Sequence, residues 1–381
     1  MLVRALASAV STVPPTPGSR LIHAGIRRLL VVDLGFLGDT IHLLPALAEL
    51  RRHQPGTELH VVTTPLGAEV LRLTAWVDRV WEYPLGNPSP PWWRHLGLQW
   101  ELRRQHFEAA FNFSGADRTL FVTAAAGIPL RITRQPNRGS WWRRQLAGRI
   151  LPPPSRAQPV FEQRRELLAR AGYELGTVDF GLCLPPADLA WAAAEIGGQA
   201  VHLSINASSP FKEWPMDRWV DFTRQLLREY SGCVVATGST QPREQLRLTE
   251  LQQRVGDPRL KVPRAPLSLA RLAALVQHCT VHVGTDSGVT HLAVALGTPT
   301  VSVFRDYAGL VEWRPRGPRD SAAIRPCRCV DRPAMDPACV AAGTAGCLAE
   351  IPAGEILALV RNILGSGTEG STGGSRGVTP A

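Results

Sequence analysis

Lysine is almost missing from this 381-residue chain: only Lys212 and Lys261 occur. The formal net charge of +10 and the pI of about 9.9 therefore rest on arginine. So uniform a preference reads as compositional, says little about partners, and singles out the two lysines instead. No apolar run reaches the roughly 18–20 residues of a membrane-spanning helix. No strand-like run leads into a GxGxxG turn, which argues against a nicotinamide-dependent oxidoreductase. No basic helix or nucleic-acid-reading motif accompanies the high pI, so a nucleic-acid partner is not expected. The first residues lack an apolar core ahead of a cleavage site, so 1–24 reads as a loose extension and not as a secretory signal. Short-period repeats are absent as well. The seven cysteines are odd in number. With no leader, they point to a reducing cytoplasm and not to a disulfide scaffold.

What is present is a folded composition, 44% hydrophobic, in a chain long enough for two domains. Arg28 to Asp33 reads as a buried parallel strand, and Ile41, Leu43, Leu44, Leu47 and Leu50 fit the inner face of the helix after it. Strand runs at 58–63 and 109–113 and a helix over 161–172 continue the alternation. Pro185-Pro186 marks a linker, after which the pattern restarts. Strands are expected over 200–205, 233–237 and 300–304, helices over 216–229, 267–278 and 351–363, and a strand, polar turn and small-residue helix within 281–299. Alternating strands and helices indicate α/β units with parallel sheets. The expected division is an extension 1–24, a first domain 25–186, a second domain 187–350, a terminal helix 351–364 and a disordered tail 365–381.

Two strand–turn–helix junctions carry the chemistry. In the first half, Gly35-Phe36-Leu37-Gly38-Asp39 places a carboxylate in the first helical turn, where it serves either as a helix cap or as a catalytic group. In the second half, Gly284-Thr285-Asp286-Ser287-Gly288-Val289-Thr290-His291 places a carboxylate, hydroxyls and bare backbone at a helix N-terminus. With Asp286 as N-cap, the N–H groups of Gly288, Val289 and Thr290 would suit a phosphate. His291 reads as a substrate contact or a satisfied polar residue. Lys212 lies in the polar loop Asn206 to Pro215, as a surface lysine or a phosphate partner. The paired turns suggest a nucleotide-dependent enzyme working in a cleft between two domains.

Taken together, Leu37-Gly38-Asp39 with Pro45-Ala46-Leu47, Lys212-x-Trp214-Pro215, and Gly284 to Gly288 with His291-Leu292-Ala293 and Ala295 to Pro299 resemble glycosyltransferase family 9. The resemblance covers roughly residues 27 to 363. It implies a GT-B fold, two Rossmann-like domains facing across a central cleft. It also implies metal-independent, inverting transfer of heptose from ADP-heptose to a lipopolysaccharide core acceptor. By the same resemblance Asp39 is the general base and Lys212 the phosphate-binding lysine. Ser208, Ser209, Asp286, Ser287, Gly288, Val289 and His291 belong to the donor site, with Glu244 the candidate ribose acid. The chain departs from the family pattern at Ser204-Ile205-Asn206, where His-Pro-Gly is frequent, and at Phe304-Arg305-Asp306, where Phe-Gly-Pro is.

The acceptor is expected on the first domain, at Gly38, Arg118, Arg134 and Arg138, within a basic stretch that also holds Arg131, Arg143 and Arg144. Cys327, Cys329, Cys339 and Cys347 cluster in one loop-like region without a standard zinc spacing. Reduced structural thiols and a structural zinc or iron are the two readings. Trp92-Trp93-Arg94 and Trp141-Trp142-Arg143-Arg144 suit either packing or an anionic membrane interface. The composite expectation is a cytoplasmic enzyme in transient, peripheral contact with the inner membrane. The alternative is the same fold with another nucleotide sugar or a protein acceptor.

Overall fold

Near-continuous apolar runs such as Leu29-Leu30-Val31-Val32 and Val281-His282-Val283 become central strands buried on both faces, as parallel sheets require. The computed structural model describes residues 21–22, 25–85, 90–136, 140–307, 309–327, 329 and 336–366. The chain forms two compact units, Met1–Cys183 and Leu184–Ala381. Among the described residues no helix is long and apolar enough to cross a membrane.

Unit 1 runs β1 (Arg28–Val32), α1 (Leu37–His53), β2 (Glu58–Thr63), α2 (Pro65–Leu71), β3 (Arg79–Glu82), α3 (Leu96–Arg104), β4 (Ala109–Asn112), α4 (Asp117–Ala125), β5 (Leu130–Arg134), α5 (Trp141–Ala147), β6 (Arg149–Leu151) and α6 (Val160–Arg170). A short 3-10 turn, Trp92–His95, precedes α3. The six strands are parallel in the order β3-β2-β1-β4-β5-β6. Leu21 N–H donates to the Ala171 carbonyl at 2.9 Å and Ile22 is fully buried, so the chain is tied to the end of α6 at that point. Residues 1–20, the bulk of the expected extension, lie outside the described residues.

Unit 2 runs α7 (Pro186–Ile196), β7 (Ala200–Ser204), α8 (Met216–Glu229), β8 (Cys233–Ala236), α9 (Pro242–Val255), β9 (Leu260–Lys261), α10 (Leu269–His278), β10 (Val281–Thr285), α11 (Gly288–Ala295), β11 (Thr300–Arg305), α12 (Leu310–Trp313), β12 (Asp320–Arg325), α13 (Pro337–Ala342), α14 (Gly346–Ala349) and α15 (Ala353–Ser366). Its parallel order is β12-β11-β10-β7-β8-β9. α8 buries Trp219, Phe222, Leu226 and Leu227, the face expected from its periodicity. α15 closes over it, and the indole N–H of Trp214 donates to the Ile351 carbonyl at 3.1 Å. The terminal helix extends to Ser366, and 367–381 lie outside the described residues.

In each unit successive strands run one way from the centre and then the other. The reversal falls between β1 and β4 in unit 1 and between β7 and β10 in unit 2. At such a switch point adjacent loops part beyond the C-terminal strand ends and leave room for a ligand. The two motif-bearing turns follow β1 and β10.

Candidate active site

In unit 1, Asp33 to Phe36 turn the chain from β1 into α1. Phe36 is the N-cap and Asp39 the third helical residue, so the cap reading of Asp39 is corrected in detail. Its Oδ2 accepts the Phe36 N–H at 2.9 Å, which ties the carboxylate back across the turn. This explains Gly35: a Cβ there would stand 2.3 Å from the Cβ of Asp39. Asp39 remains 28% exposed, enough to meet a ligand, and Arg164 of α6 lies 3.8 Å from its Oδ1. The same guanidinium donates to the Asp39 carbonyl.

Asp33 was not singled out from sequence, where it closed a strand. Its side chain is buried, 3.4 Å from Arg164, and accepts the Thr40 hydroxyl at 3.0 Å. Burial pushes its carboxyl above the ordinary carboxylate range and the Asp39 charge adds to that, while Arg164 and Thr40 pull it down. Arg164 thus stands against two carboxylates and holds the α1 turn on α6.

Gly38, Arg118 and Arg134 all lie at the C-terminal edge of this sheet, at the starts of α1 and α4 and the end of β5. The Arg118 charge acts on Tyr83 and on His95, whose rings stack at 3.9 Å. Arg138 lies outside the described residues. Arg131 does not join a ligand-facing stretch: it is buried and donates to the carbonyls of Ile128, Gln145 and Leu146. Arg143 is taken by Asp117, at 2.5 and 2.7 Å.

In unit 2 the Lys212 loop follows β7 and the Asp286 turn follows β10. Lys212 Nζ stands 2.9 Å from Asp286 Oδ2, so the fold joins two motifs 74 residues apart. Ser287, not Asp286, is the N-cap of α11. The Asp286 carboxylate faces Lys212 and Tyr307, whose hydroxyl donates to it at 3.0 Å. Burial and this carboxylate push the Tyr307 phenol upward, so it stays a donor. The ion pair holds the ammonium beside the first turn of α11, formed by Gly288, Val289 and Thr290. His291 is buried in the next position, its ring 5.3 Å from that of Trp313.

The Lys212 loop is pinned from below. Glu213 is buried, accepts the Ala207 N–H at 2.9 Å, and receives both Arg243 Nη groups at 2.8 and 2.6 Å. Ser209 caps the short turn Pro210–Lys212 that carries the lysine, and Ser208 lies exposed beside it. Glu244 stands in the first turn of α9 and accepts the Ser239 N–H at 2.7 Å. Close to it, Thr237, Gly238, Pro266 and Leu267 help line a small hollow. Lys261 donates to the carbonyls of Glu195 and Ile196 and closes the end of α7.

Beneath the Asp286 turn runs a buried relay. Thr290 Oγ1 donates to the Thr285 carbonyl at 2.6 Å, so it accepts from His282 Nε2, 3.3 Å away. His282 Nδ1 then bears no proton and accepts from His202 Nδ1 at 2.8 Å, and His202 Nε2 accepts the Thr237 hydroxyl at 2.9 Å. The two histidines are register partners on β10 and β7. Both must be neutral: burial pushes His202 down to about 3 and His282 well below its usual range. Gly284 leaves room for this, since a Cβ would stand 2.5 Å from His282 Nε2.

Among the described residues the cysteine cluster is not gathered into a metal centre. Cys327 and Cys347 are buried in the core of unit 2, and burial together with Cys327 pushes the Cys347 thiol up to about 12. Cys329 accepts the Asp336 N–H at 2.9 Å, and Cys339 accepts that of Gly346 at 3.4 Å. Among the described residues no three His, Cys, Asp or Glu side chains are grouped as a metal needs. The zinc or iron reading thus finds no support among the described residues.

Comparison with known proteins bears on the family and the fold. The profile of glycosyltransferase family 9 (heptosyltransferase) matches residues 95–330. Lipopolysaccharide heptosyltransferase 1 of Pseudomonas aeruginosa PAO1 is 26% identical over 298 residues, 73% of this chain and 78% of that protein. The structure of E. coli ADP-heptose lipopolysaccharide heptosyltransferase II superposes with a TM-score of 0.69 at 17% identity, covering 90% of this chain and 99% of that one. E. coli heptosyltransferase WaaC with ADP-2-deoxy-2-fluoro heptose gives 0.68 at 19% identity, covering 89% and 99%. Two Rossmann-like units with parallel sheets, in the GT-B fold of these structures, and a family match across most of the chain lead to one assignment: this chain is a glycosyltransferase and belongs to glycosyltransferase family 9.

Proposed function

We propose that the protein transfers heptose from ADP-heptose to a lipopolysaccharide core acceptor by a single, inverting displacement without a catalytic metal, as a peripheral enzyme of the cytoplasmic face of the inner membrane. The observation that carries this is the Lys212–Asp286 pair, 2.9 Å apart and beside the first turn of α11. A lysine and a helix N-terminus together supply positive potential for a departing diphosphate. In this reading the diphosphate lies on the N–H groups of Gly288, Val289 and Thr290 and on Lys212. Ser208, Ser209, Ser287 and His291 complete the sugar and phosphate contacts. Glu244 takes the ribose.

Unit 1 binds the acceptor through Gly38, Arg118, Arg134 and Arg138. Asp39 accepts the proton of the acceptor hydroxyl as that oxygen bonds to the anomeric carbon. The bond from that carbon to the diphosphate breaks, and ADP leaves with the electron pair. Arg164 and the Phe36 N–H orient the carboxylate, and general-base removal typically costs about 10²–10⁴-fold in rate.

The test is acceptor-dependent ADP release from ADP-heptose, with core-truncated lipopolysaccharide, in wild type and Asp39→Asn. The expected result is a fall of about 10³-fold in kcat with donor affinity retained, and an unchanged wild-type rate after EDTA treatment. Release from UDP-sugars alone, or onto a protein acceptor alone, would replace the donor or acceptor assigned here. Sensitivity to EDTA that added metal restores would overturn metal independence.

A further inference from the structure

We propose that one outer face of unit 1, formed by the Trp92–His95 turn, α3, α4 and α5, docks on an anionic lipid surface. The proposal rests on the lipid-linked acceptor read above and names the surface that would meet its membrane.

The topology sets this face. The chain moves from β3 to β4, β5 and β6 in one direction along the sheet, with α3, α4 and α5 as the connections. Right-handed crossovers place all three on the same side of the sheet. Their inner residues, Leu102 and Val122 among them, pack with Leu30 and Val32 of the sheet. Phe121 of α4 stacks on Trp142 of α5 at 5.7 Å, so the helices form one continuous surface.

Outer positions of such helices are ordinarily polar. Here Trp93, Leu96, Trp100, Phe121 and Trp141 stand 58, 52, 56, 54 and 76% exposed. Exposed apolar residues scattered singly need no explanation, but a group on one face marks an interaction site. The same elements carry six arginines, Arg94, Arg103, Arg104, Arg118, Arg143 and Arg144, against two carboxylates, Glu101 and Asp117. Asp117 is already paired with Arg143. Guanidinium groups sit over indole rings, Arg104 on Trp100 at 4.4 Å and Arg143 on Trp142 at 4.3 Å.

This combination selects the partner. Six arginines against two carboxylates give these segments a net positive charge that complements an anionic leaflet. Tryptophan favours the headgroup level of a bilayer, and each basic residue near an anionic leaflet strengthens attachment roughly fivefold. The orientation is useful as well. The N-termini of α3, α4 and α5 lie at the C-terminal edge of the sheet, the edge that bears Asp39 and the 79% exposed ring of Phe36. A bilayer against this face would present lipid-anchored sugars to the edge where the base stands.

Flotation of the full-length protein with vesicles tests the assignment. Expected is binding to phosphatidylethanolamine–phosphatidylglycerol vesicles at least ~10-fold tighter than to phosphatidylcholine vesicles, and weakened by 0.5 M salt. The variants Arg103→Glu/Arg104→Glu and Trp93→Ser/Trp100→Ser/Trp141→Ser should each lose about 30-fold or more in vesicle binding. Both should retain turnover on a delipidated core oligosaccharide. Absence of vesicle binding, equal binding to neutral vesicles, or variants that still bind would overturn the proposal. Preferential capture by single-stranded RNA, with vesicles failing to compete, would overturn it too, in favour of a nucleic-acid surface. The acceptor reading fails separately: vesicle binding with no transfer to any lipopolysaccharide acceptor removes that reading and leaves the docking face standing.

Discussion

At the scale of single residues, the donor side of the chain turns on how one carboxylate is held. Asp286 accepts from Tyr307 at 3.0 Å and faces Lys212 at 2.9 Å. A hydrogen bond to a charged group is worth about 1.5–3 kcal/mol. Tyr307→Phe removes the donor and leaves the ring in place. The expected outcome is a rise of about 10-fold in KM for the nucleotide sugar with kcat within about threefold, measured by steady-state kinetics. An unchanged KM would remove Tyr307 from the donor site. Tyr307 lay beyond the reach of motif reading because it sits 21 residues after Asp286, in the segment where the chain leaves the family pattern. Asp33 and Arg164 were hidden for a related reason. Each looks ordinary in its own element, and only the packing of α6 against α1 brings them together.

At the scale of elements, the loop that carries Lys212 is built on a buried acid. Glu213 is 4% exposed, and it satisfies Ala207 N–H and Arg243 while lying 3.6 Å from Arg247. Replacing it by alanine leaves two guanidinium groups facing each other and one backbone donor unpaired. The Arg243 side chain is 45% exposed, so solvent screens part of the effect. The expected destabilisation is about 2 kcal/mol, read from urea unfolding, with Glu213→Gln closer to wild type. Elements differed in how legible they were. β1, β7 and β10 are continuous apolar runs at sheet centres and read clearly. β3, β6, β9 and β12 are edge strands, and β3 and β12 carry Arg, Glu or Asp because one side meets solvent. Their short, mixed patterns do not separate from loops.

At the scale of the whole molecule, the neutral His202–His282 pair couples stability to pH. Both histidines titrate lower in the folded chain than the ordinary value near 6.5. Below that value the unfolded chain binds protons that the folded one refuses, so stability is full above it and is lost as pH falls. For His202 the loss amounts to about 1.4 kcal/mol per pH unit below about 6.5, continuing toward its folded value of about 3. His282 acts in the same direction. Thermal melting is expected to fall between pH 7.5 and 5.5, and His202→Gln to show a shallower slope over that range. A melting temperature flat across this range would show that the pair accepts a proton where it lies.

Local patterning by itself determined the α/β class, the restart of the pattern after Pro185-Pro186, and the two turns at Asp39 and Asp286. Each depends on contiguous residues, whose periodicity and turn chemistry act within one strand and its following helix. Three features needed the tertiary structure. Lys212 meets Asp286 only because β7 and β10 pair at the centre of the second sheet. Arg131 and Arg118 are alike in sequence, yet burial commits the first to backbone carbonyls and leaves the second exposed. The aromatic and arginine groups of α3, α4 and α5 become one surface because crossover handedness puts those helices on a single face. Long-range pairing and burial decide such matters, and neither is written in any short stretch of the chain.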